Sequence, residues 1–180
     1  MALRNILTEE DPTLSKKCRV VTEFNPRLHQ LLDDMTETLM QADGVGLAAP
    51  QVGVLRRVVL VLETNVPEDE EPVLIELVNP EIIEATGEQH EPEGCLSVPG
   101  IYCDVVRPES MTVEYYNEKL EKVTEKFDKF ACRMIQHEMS HLDGDLFVDH
   151  VAPIRKKIIS KKLMGIAKGK VSARYTTKIK

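Results

Sequence analysis

The chain has 180 residues, of which 42% are hydrophobic and 29% are charged, an ordinary composition for one globular domain with its own core. The first residues lack the apolar stretch of a secretory signal, and no apolar run approaches the length of a membrane span. We therefore expect a cytoplasmic protein with no membrane partner. Four cysteines do not suggest a disulfide scaffold at this length and favour a reducing compartment.

In chain order, an irregular stretch over residues 1–24 precedes a helix that Asn25 caps, with Pro26 in its first turn, and that ends at Asp43-Gly44. The stretch GVGLAAPQVG (residues 44–53) follows, and its small residues let the backbone approach a ligand closely. A tight loop that happens to contain Gln51 explains this stretch equally well. The spacing then predicts strands over 57–62, 73–78, 81–85, 101–106, 111–116 and 120–124, with a turn at Asn79-Pro80.

Two helices follow the strands. The first begins after Asp128, has Phe130, Met134, His137 and His141 at i, i+4, i+7 and i+11, and ends at Asp143-Gly144. The second is basic, covers residues 151–164, and is predicted to have Ile154, Ile158, Ile159 and Leu163 on one side. Strands clustered between helices predict an α+β fold. We expect mainly antiparallel sheets packed around a central HExxH-bearing helix, with an N-terminal and a C-terminal helix, in one catalytic domain over residues 1–164. Residues 165–180 are expected to form a loosely ordered basic tail.

Charge is distributed unevenly along the chain. Residues 151–180 contain ten Lys or Arg and no acidic residue, so the first 150 residues hold 13 basic and 30 acidic residues. A basic segment on an acidic body indicates a polyanionic partner. A solvated tail that keeps the protein soluble is an equally good interpretation.

The HExxH motif is His137-Glu138-Met139-Ser140-His141. Residues four apart lie on one face of a helix, so the two histidines can bind one metal ion. Glu138 can then reach a water on that ion as a general base. Two half-buried histidines on an amphipathic helix are the simpler alternative.

A catalytic metal site also needs a third protein ligand and an open position. Phe147 occupies the place of a metzincin's third histidine, and no Glu follows Glu138, so the usual downstream ligands of zinc proteases are missing. Upstream, the thiolate of Cys95 in EGCLSVPG (residues 93–100) would complete a Cys-His-His set. The remaining cysteines, which are Cys18, Cys103 and Cys132, are predicted to be small buried hydrophobes.

Three stretches, GVGLAAPQVG, EGCLSVPG and QHEMSHLDG, occur in that order. Together they closely resemble the three signature motifs of the peptide deformylases, and the resemblance runs from about Asp11 to Asp149. It implies that the protein removes the N-formyl group from the initiator methionine of new polypeptides in bacteria or bacterially derived organelles.

The resemblance also implies roles for individual residues. Cys95, His137 and His141 would bind one divalent metal ion, typically Fe²⁺ in the family and replaceable by Zn²⁺, Ni²⁺ or Co²⁺. Glu138 would be the acid/base, and Gln51 and the backbone N–H of Leu96 would hold the formyl oxygen. The implied contacts of the extended peptide substrate are Val45, Gly46, Gly94 and Leu96. In related deformylases a basic C-terminal helix docks on the ribosome, which offers a partner for residues 151–180.

The chain departs from the family pattern at Ser140, where Asp is common. A carboxylate there would support the site, paired with an arginine such as Arg107. Serine accepts a hydrogen bond but has no charge, and we expect activity to survive the change. Arg133 is expected either to line the pocket for the methionine side chain or to face solvent.

Two other functions compete with deformylation as interpretations of the sequence. A zinc endopeptidase would use the same HExxH motif, but the chain lacks its later third ligand. A non-catalytic ribosome- or RNA-binding protein would use the basic C-terminal helix and a structural metal. A closed structural site needs a fourth protein ligand, and the presence of Glu138 and Gln51 favours chemistry.

Overall fold

The structure, a computed structural model, describes residues 2–117, 119–170, 173 and 175–178. Its helices and strands, in chain order, are β1 (Ile6–Leu7), α1 (Pro26–Gln41), β2 (Gly46–Ala48), β3 (Val58–Glu63), β4 (Val73–Thr86), β5 (Gln89–Cys95), β6 (Val98–Arg107), β7 (Ser110–Tyr116), β8 (Lys122–Asp128), α2 (Lys129–Leu142), α3 (Pro153–Ala167) and β9 (Thr177–Lys178). Within these residues, no helix is both long and apolar enough to span a membrane.

The strands form three sheets. The largest has the order β2-β3-β4-β7-β8, and every neighbouring pair is antiparallel. β5 and β6 form a separate antiparallel hairpin joined by the two-residue turn Leu96-Ser97, and β1 pairs with β9 in parallel. The predicted α+β fold with mainly antiparallel sheets and helices near both ends is confirmed.

Helix α1 begins where its capping residues predict. Asn25 Oδ1 accepts hydrogen bonds from the backbone N–H groups of Arg27 (3.0 Å) and Leu28 (3.3 Å), and Pro26 occupies the first turn. The apolar side of the helix is buried with residues of β2 and β3 in one core cluster. The helix ends at Gln41, two residues before the predicted stop at Asp43-Gly44.

Helix α2 contains His137, Glu138 and His141. Its apolar side packs on β3 and β7 through five buried side chains, which are Ala131, Cys132, Ile135, Met139 and Leu142. The helix ends at Leu142, and Gly144 follows with φ +84°; a Cβ at Gly144 would lie 2.7 Å from the carbonyl oxygen of Ser15. Glycine is therefore required at the predicted stop of this helix, both for its backbone conformation and for the close approach of another segment.

The observed strands differ from the predicted ones in several places: the strand predicted over 120–124 is Lys122–Asp128, and β1, β2 and β9 were not predicted. Residues 73–78 and 81–85 are one strand, β4, in which Asn79 has φ 53° and the pairing with β7 shifts register between Val78 and Glu81. A bulge therefore absorbs the Asn79-Pro80 pair that had predicted a turn. Strand β5 was not predicted, because Pro92, Gly94 and its acidic residues have low strand propensity.

Helix α3 buries a different side from the predicted one. Ile159 and Ile166 are buried and Leu163 packs against the same cluster, whereas Ile154 and Ile158 are 75% and 65% exposed. Core contacts therefore follow i, i+4 and i+7 from residue 159, and the apolar residues of the first turns face outward.

The segment after residue 164 also differs from the predicted loose tail where it is described. Helix α3 continues to Ala167, and β9 pairs with β1 near the start of the chain. The part of that prediction concerning residues 171, 172, 174, 179 and 180 lies outside the described residues.

Candidate active site

Three side chains from two elements converge beside helix α2. Cys95 is the last residue of β5, and His137 and His141 lie one helical turn apart on α2. One potential ligand atom from each lies within 4.8 Å of the others, and Cys95 Sγ is 3.3 Å from His141 Nε2. The structure therefore brings together the three residues that the sequence predicted as metal ligands.

This set of donors fits a divalent metal ion. A thiolate and two imidazoles are the sulfur and nitrogen donors that bind zinc and iron, and three protein ligands leave a coordination position open. Burial and then the neighbouring His137 lower the pKa of His141, so its ring is neutral and keeps a lone pair for a metal. Its Nδ1 is buried and has no hydrogen-bond partner among the described residues.

Glu93 supports the site from behind His137, a role that the sequence did not predict. Its Oε2 accepts a hydrogen bond from His137 Nδ1 at 2.9 Å. Arg107 donates to both carboxylate oxygens, from Nε at 2.6 Å and from Nη2 at 2.9 Å, and Arg133 Nη1 donates to Oε1 at 2.7 Å. Burial alone would raise the pKa of Glu93, but hydrogen bonds from His137 and Arg107 outweigh it and hold the pKa at about 2. Glu93 is therefore an ionised carboxylate that turns the other ring nitrogen of His137 toward the site.

The groups around His137 favour a positive charge at its ring. Burial alone would lower its pKa, yet hydrogen bonds to Cys95 and Glu93 raise the pKa to about 10. The negative groups that hold a proton on this ring equally favour a metal ion in its place.

The two arginines answer questions left open by the sequence. Arg107 Nη1 donates to Ser140 Oγ at 3.2 Å, so position 140 pairs with this arginine even without a carboxylate. Both interpretations of Arg133 are wrong: its side chain is buried, and it bonds to Glu93 and to the carbonyl oxygens of Gln89, Glu91 and Val105. Arg133 is a buried support of Glu93 instead of a wall of the substrate pocket.

Glu138 is buried like Glu93, but its surroundings differ. It is 4% exposed, and within the described residues its Oε2 has no hydrogen-bond partner. Burial raises the pKa of Glu138 to about 7. A Cβ at Gly46 would overlap the Glu138 carboxylate, so glycine at this position leaves the space that the side chain of Glu138 occupies. A buried carboxyl group that titrates near neutrality has the property that a general base needs.

Gln51 lies beside Cys95 in a short 3₁₀ turn, Ala49–Val52. Its Oε1 accepts a hydrogen bond from the backbone N–H of Ala48 at 2.7 Å. Its Nε2 donates to Ser97 Oγ at 3.1 Å and lies 3.5 Å from Cys95 Sγ. Only 1% of the residue is exposed, and its amide nitrogen lies beside the Cys95 sulfur.

A cavity of about 530 Å³ opens onto these groups. Seven residues predicted for the site line it, namely Val45, Gly46, Gly94, Cys95, Leu96, His137 and Glu138. Phe130, Met134, Tyr102 and Tyr175 also line it and were not predicted to do so. The spacing of Phe130 and Met134 relative to His137 was the signal that could have identified them, whereas nothing local in the sequence indicates Tyr175.

The three other cysteines are free and buried, as predicted. Burial raises the thiol pKa of both Cys18 and Cys132. They are therefore protonated at neutral pH and are packing residues.

The sequence and fold are similar to those of known proteins. The sequence model of the family described as polypeptide deformylase matches residues 3–157. A peptide deformylase of Christiangramia forsetii is 41% identical, covering 94% of this chain and 92% of its own, and one of Alkaliphilus metalliredigens is 47% identical, covering 84% and 98%.

Solved structures agree with the sequence comparison. The crystal structure of a Legionella pneumophila peptide deformylase has a TM-score of 0.84 and 37% identity, covering 94% of this chain and 98% of its own. That of the Ehrlichia chaffeensis peptide deformylase in complex with actinonin has a TM-score of 0.86 and 29% identity, covering 96% and 100%.

Proposed function

The chain belongs to the polypeptide deformylase family, and we propose that it removes the N-formyl group from formylmethionine at the start of new polypeptides, with release of formate. The observation that carries this proposal is the meeting of Cys95, His137 and His141 within 4.8 Å of one another, next to Glu138, whose Oε2 has no hydrogen-bond partner in the described part of the chain. In the described residues only three Cys or His side chains converge there, whereas a closed structural zinc site needs four ligands.

Cys95, His137 and His141 would hold one divalent metal ion, Fe²⁺ in the native enzyme, with Zn²⁺, Ni²⁺ or Co²⁺ as replacements. When bound, the ion supplies Lewis-acid polarisation of the formyl carbonyl and lowers the pKa of a bound water from ~15.7 toward ~7. Glu93 keeps the His137 ring fixed through its 2.9 Å hydrogen bond, so the ligand geometry is set before any ion or substrate arrives.

Glu138 moves the proton. Its free Oε2 accepts a proton from the attacking water and then delivers it to the amine nitrogen that leaves as the formyl C–N bond breaks. The pKa of about 7 suits both halves of this cycle, because the carboxyl group exchanges a proton readily near neutral pH.

The Leu96 N–H and Gln51 Nε2 are proposed to stabilise the formyl oxygen as it becomes negative. Leu96 lines the cavity, directly after Cys95. The Nε2 hydrogen that faces the Cys95 sulfur, over a long 3.5 Å contact, is the one that a formyl oxygen beside that sulfur would accept, while the other hydrogen stays bonded to Ser97. One such donor is typically worth roughly 3 kcal/mol in the transition state.

The substrate backbone is proposed to lie extended along β2. β2 is an edge strand of the five-stranded sheet, so one side of it pairs with no strand of the part of the chain that the structure describes. Val45, Gly46, Gly94 and Leu96 all line the cavity, where they would contact an extended peptide. Phe130 and Met134, on the part of α2 that precedes the histidines, offer an apolar surface for the methionine side chain.

The basic helix α3 is proposed to associate with the ribosome. Its cationic side chains are exposed, and the apolar side chains of Ile154 and Ile158 are exposed on the same helix. Reversing the charge of exposed Lys161 and Lys162 should weaken co-sedimentation with ribosomes without loss of deformylation. Equal co-sedimentation of both proteins would remove this part of the proposal.

The enzymatic proposal is tested by formate release from formyl-Met-Ala-Ser with anaerobically purified protein. Glu138→Gln should lower kcat by roughly 10²- to 10⁴-fold and leave the metal content unchanged, because it removes the proton acceptor and no ligand. Glu84→Gln, which changes an exposed carboxylate on β4, is the matched control and should behave as wild type. A Glu138→Gln variant as fast as wild type would defeat the mechanism, and a wild type that releases no formate would defeat the function.

A further inference from the structure

The turn Leu96-Ser97 fixes the surroundings of the Cys95 sulfur. Cys95 pairs with Val98, so Leu96 and Ser97 are the two central residues of the β5–β6 hairpin turn. The backbone N–H of Ser97 points at Cys95 Sγ, with a nitrogen–sulfur distance of 3.4 Å. The Leu96–Ser97 peptide therefore donates a hydrogen bond to the atom proposed as a metal ligand.

This peptide is the most easily reoriented one in such a turn. Type I and type II turns differ mainly in the orientation of the peptide between their two central residues. In the type II arrangement the N–H and C=O of that peptide exchange directions. A flip would turn the Ser97 N–H away from the sulfur and bring the Leu96 carbonyl toward it.

Tyr175 holds the other end of the same peptide. Its hydroxyl donates a hydrogen bond of 2.5 Å to the Leu96 carbonyl oxygen. Burial, followed by the nearby Cys95 and Tyr102, raises the pKa of Tyr175, so the hydroxyl keeps its proton at neutral pH. The two bonds, one at each end, restrain the peptide in a single orientation.

Strand β9 positions Tyr175 for this contact. The residues that follow Tyr175 pair in parallel with β1, and the backbone N–H of Ile6 donates to the Thr176 carbonyl oxygen at 3.0 Å. Tyr175 and Leu96 pack against the same core cluster, and both line the active-site cavity. Tyr175 lies outside residues 3–157, the part of the chain that the family model matches.

We propose that Tyr175 is a positioning residue of the metal site, whose hydroxyl locks the Leu96–Ser97 peptide so that the Ser97 N–H points at the Cys95 sulfur. The inference rests on the proposed function for the identity of Cys95 as a ligand. The segment that contains Tyr175 then contributes to the active site, and the pairing of β9 with β1 holds it there.

The test compares Tyr175→Phe with Tyr116→Phe in zinc-loaded protein. Tyr116 is a half-buried tyrosine on β7 that packs on Phe24, so the control loses the same hydroxyl elsewhere in the molecule. Amide hydrogen exchange at Ser97, measured by NMR, reports the N–H that the proposal concerns. The buried Val113 on β7 serves as the internal reference.

In Tyr175→Phe, exchange at Ser97 should become roughly three- to tenfold faster while exchange at Val113 is unchanged, because one hydrogen bond is lost locally. The kcat for formyl-Met-Ala-Ser should fall while KM stays near that of wild type. Tyr116→Phe should match wild type at Ser97 and in kcat.

Two results would overturn the inference. One is unchanged exchange at Ser97 in Tyr175→Phe, and the other is equal acceleration at Ser97 and Val113, which would mean that the hydroxyl only stabilises the fold. A wild type that releases no formate would defeat the proposed function, whereas the exchange at Ser97 would still decide whether Tyr175 orients this turn.

Discussion

Two buried glutamates flank the ligand set, and their surroundings are opposite. Glu93 is bonded by His137, Arg107 and Arg133, and its pKa is held at about 2. Glu138 is as deeply buried, but its Oε2 has no partner among the described residues, and burial raises its pKa to about 7. The same side chain is thus permanently charged on one side of the site and ready to exchange a proton on the other.

The difference shows how the site separates support from chemistry. The carboxylate of Glu93 uses its hydrogen-bonding capacity on groups that must not move, namely a ligand histidine and two buried guanidinium groups. Glu138 lines the cavity, and its Oε2 can still accept a hydrogen bond. A buried polar group without a partner costs free energy, and such a cost is tolerated mainly where function needs it.

The largest expected effect comes from removing the negative charge of Glu93. Glu93→Gln would leave two buried arginines without their shared anion, and we expect a loss of about 3–5 kcal/mol in the free energy of unfolding. Urea denaturation measures it. Glu91→Gln, an exposed neighbour on β5, should change stability by no more than about 0.5 kcal/mol. Equal, small changes in both variants would show that Glu93 does not support the site.

A change next to Glu138 is expected to affect the catalytic rate more than the stability of the fold. In Gly46→Ala the added Cβ overlaps the Glu138 carboxylate, which must leave its present position. We expect kcat to fall by roughly 100-fold, the size of effect that a misplacement of about 1 Å produces. Gly165→Ala on α3 is the control, since a Cβ there meets no atom within 4 Å and kcat should be unchanged. Wild-type kcat in Gly46→Ala would contradict the close approach of β2 and α2.

The smallest expected effect is the dependence of kcat/KM on pH through the ionisation of Glu138. Glu138 acts as a base only when ionised, so kcat/KM should decrease as the pH falls through its pKa, by tenfold for each further pH unit. Its pKa is about 7 from burial, and a cation bound nearby lowers the pKa, so the decrease should begin at or below pH 7. Rates of formate release between pH 4 and 9 measure it. A kcat/KM that rises toward acid pH would contradict the role of Glu138.

The sequence predicted the groups that meet substrate better than the groups behind them. Cys95, His137, His141 and Glu138 lie in short motifs whose residue types and spacing carry their chemistry. Glu93 lies in one of the same motifs, but its partners Arg107 and Arg133 are 14 and 40 residues away in the chain. Only the pairing of β5 with β6 and the packing of α2 bring them together, and no local pattern contains that information.

The errors in predicting β5, β9 and the buried side of α3 have a common cause. Strand β5 exists because β6 provides its hydrogen bonds, and β9 exists because β1 does. The composition of β5 does not favour a strand, and β9 has only two residues, too few to be recognised from a local pattern, so long-range pairing decides both. Helix α3 was predicted correctly as a helix, but with the wrong buried side, because its apolar residues are spread around it and tertiary packing selects Ile159 and Ile166.

The central claim is that one sulfur and two imidazole nitrogens bind a single ion that keeps an open position. X-ray absorption of zinc-loaded protein measures this directly. The account predicts one zinc per chain with one sulfur at about 2.3 Å and two nitrogens at about 2.0–2.1 Å from protein side chains. It also predicts that the sulfur is lost in Cys95→Ser. A site closed by four protein ligands, or one without sulfur in the wild type, would contradict it.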